Sequence, residues 1–72
     1  MDQNTVWREI NAIRVATLAA RKRTGNDQIG TEAVKGGLCV CYWIPRKDGR
    51  FDVERLTPGM QFEDVVKYLN AL

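Results

Sequence analysis

Cys39 and Cys41 are the residues of this chain whose type and spacing come closest to metal or redox chemistry. A structural zinc site needs four Cys or His ligands, and the chain offers two thiols and no histidine. Their spacing also differs from the Cys-x-x-Cys pattern of dithiol oxidoreductases. Cysteine is a compact residue that is commonly buried. We therefore expect both thiols to pack in the interior, with no metal and no cofactor.

Catalysis by other side chains is opposed by the composition. The chain has neither serine nor histidine, which removes the Ser-His-Asp triad and the Cys-His pair. Asp52 and Glu54 would share one face of a strand, which is typical of the solvated side of a hairpin. The glycine-bearing segments TGNDQIG and KGGLC do not match a phosphate-binding loop. We predict that the protein is not an enzyme and has no small-molecule substrate.

Two basic clusters could contact phosphates, one at the end of the first helix and one around the Asp48-Gly49 turn. Their members are Arg21, Lys22, Arg23, Arg46, Lys47 and Arg50. Both have ordinary explanations, because cations favour helix C-termini and charge at a hairpin tip blocks edge pairing. The net charge of +2 is uneven: +3 over residues 1–26, +1 over 27–50 and −2 over 51–72. This distribution weakens a nucleic-acid hypothesis without removing it.

A basic hairpin on a small helical body resembles the wing of winged-helix DNA-binding proteins, including small phage excisionases. The resemblance covers the hairpin and the preceding turn, and it implies DNA contacts by the hairpin tip. The chain departs from that pattern at the recognition helix, since Thr31 to Lys35 is short and poor in base-reading residues. There is no base-stacking signature of an RNA-binding sheet.

The first element that must position these residues is a helix, predicted from Thr5 to Arg23 with Asn4 or Thr5 as its N-cap and Gly25 after its end. Arg14 and Arg21, one heptad apart, fall inside its broad apolar face. Snorkelling stems or contact with an acidic partner would explain arginines there. The apolar face comprises Val6, Trp7, Ile10, Ile13, Thr17, Leu18 and Ala20.

The middle of the chain is predicted to hold a β-hairpin, with Leu38 to Ile44 and Arg50 to Leu56 as its strands. The stretch before it is open to two interpretations: a helical turn at Thr31 to Lys35 or an edge strand at Ile29 to Thr31. Both faces of the first hairpin strand are apolar, so helices should cover one face. The other should take a second layer or a second subunit, or remain an exposed apolar patch. Those faces are Leu38, Val40, Tyr42 and Ile44 on one side and Cys39, Cys41 and Trp43 on the other.

A last helix is predicted to start with Thr57 as its N-cap and Pro58 at its first position. Its apolar face comprises Phe62, Val65, Val66, Leu69 and Leu72. The prediction is a single α+β domain over residues 1–72: an N-terminal helix, a short turn element, an antiparallel β-hairpin and a C-terminal helix.

A chain of 72 residues buries only about 60% of its unfolded surface, so a partner is expected on size alone. We predict a small non-catalytic protein-interaction module, adaptor-like or inhibitor-like and of the kind that phages encode. The simplest version is a homodimer, formed through the strand face or the alanine side of the first helix. Aromatic and arginine side chains most often anchor interfaces. The predicted anchors are Trp7, Arg14, Tyr42 and Trp43.

The alternative is a small nucleic-acid-binding regulatory protein that uses the two basic clusters. Membrane association is not expected, because no apolar run approaches the ~18 residues of a membrane span. The first ten residues lack the basic start and apolar run of a signal peptide. We therefore expect a cytoplasmic protein.

Overall fold

A computed structural model describes residues 3–72 and confirms the predicted α+β class. The short element before the hairpin is a third strand, so the helical turn considered for Thr31 to Lys35 is wrong. The elements are α1 (Gln3–Thr24), β1 (Ile29–Val34), β2 (Gly37–Pro45), β3 (Phe51–Arg55) and α2 (Phe62–Ala71). Asn4 and Thr5 lie inside α1, so neither is its N-cap, whereas the helix does end before Gly25.

The three strands form one antiparallel sheet in the order β1-β2-β3. β2 is the central strand: Tyr42 is opposite Ile29 of β1 and opposite Glu54 of β3. Because side chains alternate along a strand, β2 divides into the two faces that its sequence predicts. Leu38, Val40 and Tyr42 pack in the core with the helices, and Trp43 lies on the opposite face with the two cysteines.

Both helices pack on the same face of the sheet and form the core with it. Arg23 joins the ends of the two helices: its Nε donates to the Leu72 carbonyl at 3.0 Å and its Nη2 to the Leu69 carbonyl at 2.8 Å. A cation at the last carbonyls of a helix is favourable, so Arg23 stabilises the end of α2. The buried core residues are Ala16, Ala20, Ile29, Val40, Val65 and Leu69.

The start of α2 differs from the prediction, because Thr57 and Pro58 precede the helix by several residues. The Thr57 hydroxyl accepts a hydrogen bond from the Val40 amide at 3.0 Å. Met60 then exchanges two backbone hydrogen bonds with Leu38, at 3.0 and 2.8 Å. The chain thus continues along β2 after β3 ends, and α2 begins only at Phe62, after its N-cap Gln61.

The β2–β3 hairpin turns at the Asp48-Gly49 signal through a three-residue loop. The Arg46 amide donates to the Arg50 carbonyl at 2.8 Å, and the Gly49 amide donates to the Arg46 carbonyl at 3.2 Å. Gly49 has a φ of +85°, as expected where a type I turn is followed by a left-handed residue. The hairpin prediction is therefore confirmed.

Gly37 permits the close approach of the β1–β2 turn to the chain before α2. It has a φ of +135°, and a Cβ built on it would overlap the Met60 carbonyl oxygen. Gly49 also has a positive φ, but a Cβ there meets nothing within 4 Å.

We expect Gly37→Ala to lower the free energy of unfolding by at least ~3 kcal/mol, and Gly49→Ala by only about 1 kcal/mol. Urea denaturation of both variants checks this, and equal losses would contradict the close-approach argument.

Candidate protein-interaction surface

Residues 3–12 of α1 contribute no side chain to the hydrophobic core. A 22-residue helix is about 33 Å long, and the longest extent of the molecule is 41 Å. Residues 3–8 are all exposed. Packing of α1 apolar side chains against the core begins at Ile13, and its buried residues are Ala16, Thr17 and Ala20. The helix therefore uses small residues from its second half to contact the sheet and α2.

Within residues 3–72, five of the six large apolar residues that are exposed belong to α1. The exposed fractions are 67% for Trp7, 58% for Val15 and 55% for Ile10. A single apolar side chain in solvent is ordinary, whereas larger exposed apolar patches are typical of interaction sites. We call this group the exposed apolar set of α1: Val6, Trp7, Ile10, Val15 and Leu18.

A groove of about 490 Å³ lies between α1 and the sheet, next to the exposed apolar set. Ile10 and Leu18 belong to both the set and the groove. Of the four predicted interface anchors, the groove brings Arg14 and Trp43 together, and Trp7 lies one helical turn before Ile10. Tyr42 instead packs against the core. The groove is lined by Ile10, Ile13, Arg14, Thr17, Leu18, Arg21, Gly30, Thr31 and Trp43.

Trp43 reaches this groove by crossing the sheet over Gly30. Its indole Nε1–H donates to the Thr31 carbonyl at 3.3 Å. Its ring meets Phe51 edge to face, with 6.3 Å between the ring centroids. This crossing cannot be predicted from local sequence, because it depends on the pairing of Gly30 with Cys41, which places a residue without a side chain beside the indole.

A hydrogen bond to the sheet explains why Arg21, one of the two arginines in the apolar face of α1, lies there. Its Nε donates to the Ile29 carbonyl at 2.7 Å. Ile29 and Thr31 point their carbonyls away from β2, so Arg21 and Trp43 together occupy the first half of the outer edge of β1. An edge whose acceptors are already bonded is a poor site for adding another strand. Arg14 is exposed and, within residues 3–72, makes no hydrogen bond or ion pair.

The two basic clusters are partly used by the fold itself. Arg21 and Arg23 bond backbone carbonyls, and Arg46 lies 3.7 Å from Asp48 and 3.5 Å from Asp52. Lys22, Lys47 and Arg50 are exposed, and their side chains make no ion pair within the described part of the chain. Residues 31–34, where a winged-helix arrangement would need a recognition helix, are part of β1.

Cys39 and Cys41 are buried free thiols on the face of the sheet opposite the helices. Arg55 Nε and Glu32 Oε2 are 3.2 Å apart on that face, at the register positions of Cys41 and Cys39. Burial, with smaller effects of Cys39 and Glu32, raises the pKa of the Cys41 thiol to about 11. Such a thiol is a weak nucleophile at neutral pH. Within residues 3–72 no group of three or more His, Cys, Asp or Glu could hold a metal ion.

Comparisons of the chain with family models, with curated proteins and with solved structures find no match. Neither helix within residues 3–72 is long and apolar enough to cross a membrane. The geometry of α1 and its groove therefore carries the functional argument. Sequence reasoning missed Val15, whose one signal is an apolar residue off the predicted face, and it missed Gly30 and Thr31, which join the groove through sheet pairing.

Gly30 is the position that tests the path of Trp43. A Cβ at residue 30 would lie 2.6 Å from Trp43 Cδ1. We expect Gly30→Ala to lower the free energy of unfolding by about 1–3 kcal/mol, because the indole must move out of its place. In a Trp43→Ala background the same substitution should cost little, since the overlapping ring is gone. Chemical denaturation of the four proteins gives this double-mutant cycle. An equal cost in both backgrounds would show that the indole does not cross at Gly30.

Proposed function

We propose that this protein is a small non-catalytic protein-interaction module whose contact surface is the exposed apolar set of α1 with the adjoining groove. The observation that carries the proposal is the N-terminal half of α1, where Trp7 and Ile10 are more than half exposed. Removing apolar surface from water contributes about 25 cal/mol per Å², so a partner on this surface gains binding free energy from several large side chains. The chemistry of the surface, tryptophan and arginine beside aliphatic residues, is that of interface hot spots.

The contacts that the basic side chains make within the domain favour a protein partner over nucleic acid. Three of the six basic candidates, Arg21, Arg23 and Arg46, already contact acceptors of the chain itself. The hairpin tip also carries Asp48 and Asp52 beside its arginine, which lowers the local positive charge. Nucleic-acid affinity comes largely from clustered cations that neutralise phosphates. The exposed apolar set of α1 is therefore the stronger candidate for a contact surface than the basic clusters.

Light scattering after size exclusion, at low and moderate salt and with or without a short DNA duplex, tests the proposed function. We expect an assembly that persists at moderate salt and ignores the DNA, because apolar contacts are not screened. Trp7→Lys should dissociate the assembly, because it would place a charged side chain in the apolar contact. Lys47→Glu with Arg50→Glu is the control and should leave the assembly unchanged.

A protein that moves onto the duplex at low salt and leaves it at moderate salt would contradict the proposal. Loss of that shift in the Lys47→Glu/Arg50→Glu variant would then assign the activity to the hairpin tip. Either result requires that the variants remain folded, which their circular dichroism spectra check.

A further inference from the structure

We infer that the partner of α1 is α1 of a second copy, packed antiparallel so that Trp7 of each copy lies against Leu18 of the other. This inference rests on the proposed function and names the partner of the same surface. It follows from the spacing of the side chains along α1, from the position of the groove, and from the state of the two sheet edges.

The spacing defines a continuous seam along α1. Trp7, Asn11, Arg14 and Leu18 follow each other at intervals of four, three and four residues, which is the spacing of a helix–helix seam. At 3.6 residues per turn this seam is centred roughly 150° around the helix from the buried residues. All four seam residues are exposed. The seam can therefore receive a second helix while α1 keeps its contacts with its own core.

In one pairing of two such seams, every apolar side chain faces an apolar one and every polar side chain faces a polar one without a like-charge contact. In an antiparallel pair with Trp7 opposite Leu18 of the other copy, Asn11 is opposite Arg14, and a two-fold axis generates each contact twice. A parallel pair would bring Arg14 against the same arginine of the second copy. An antiparallel pair shifted by seven residues would place Leu18 against arginine or Trp7 against asparagine. The composition of the seam therefore selects the orientation and the register together.

The antiparallel pairing also brings the second helix to the mouth of the groove. It places the N-terminal half of the second helix beside the C-terminal half of the first, which is where Leu18, Arg21 and Trp43 line the groove. Trp7 of the second copy, packed on Leu18, then lies at the mouth of that groove. Each groove is completed by a residue of the other copy, so the contact surface is larger than two helix faces alone.

The sheet edges offer no competing route to a two-fold dimer. On the outer edge of β1, the carbonyls of Ile29 and Thr31 are already bonded by Arg21 and Trp43, whose side chains lie across the path of an added strand. On β3, Asp52 and Glu54 point to the same face. Two-fold antiparallel pairing of β3 with its copy puts one of these acids opposite another in any register that overlaps three or more residues. Like charges directly opposite each other destabilise strand pairing.

A swap of the two polar seam residues tests the register. Asn11→Arg alone brings arginines together at both symmetry-related contacts, so we expect the dimer to weaken by about tenfold or more. Asn11→Arg combined with Arg14→Asn exchanges the two partners and should restore the dimerisation constant to within about threefold of the unmodified protein. Thr5→Arg is the matched control: it adds the same charge at an exposed α1 position outside the seam and should change little.

Sedimentation of the full chain over a range of concentrations measures these constants. Weakening by the single change and rescue by the swap would support the antiparallel dimer. A monomer at every concentration, or a dimer that Asn11→Arg leaves unchanged, would overturn it. A monomer that also ignores DNA would sink this inference and leave the interaction module with a different partner. DNA binding at low salt would instead remove the proposed function.

Discussion

The structure depends on covering both faces of β2, a central strand that carries no charged side chain. The two helices cover the face with Leu38, Val40 and Tyr42. No helix covers the other face within the described residues, and smaller devices replace it there. Cysteines keep the side chains short, Trp43 lies across the glycine of β1, and the Glu32–Arg55 ion pair spans the same surface. The positive charge of the hairpin tip that follows this apolar strand is lowered by Asp48 and Asp52, which lie beside Arg46.

The position of α1 follows from that arrangement. α2 buries two branched apolar residues, Val65 and Leu69, in the core beside Val40. α1 contacts α2 and β1, and it contributes mainly alanine and threonine to the buried region. The exposed apolar set of α1 is consequently left towards solvent, while Ile13 packs against the core. The exposed apolar set follows from this division of α1, because the helix turns small residues to the core and most of its large apolar residues away from it.

Local signals were sufficient for α1, β2 and the hairpin, because helical periodicity, β-branched and aromatic residues and an Asp-Gly turn act within short segments. Local signals left β1 open between a helical turn and an edge strand, since its Gly30, Thr31 and Glu32 join the sheet only through pairing with β2. Thr57 was misassigned because its hydroxyl serves an amide of β2, a contact distant in sequence. The candidate site shows the same division: Trp7 and Arg14 were found from the helix alone, whereas the groove depends on where Trp43 crosses the sheet.

The most direct test of the central claim is hydrogen exchange of the α1 amides as a function of protein concentration. Residues 3–12 have few contacts with the rest of the domain, and a helical segment of that length is marginal in water without packing. If a second copy packs on α1, protection of these amides will rise with protein concentration while that of β2 stays constant. Exchange of residues 3–12 that is rapid and independent of concentration would show that the helix has no such partner.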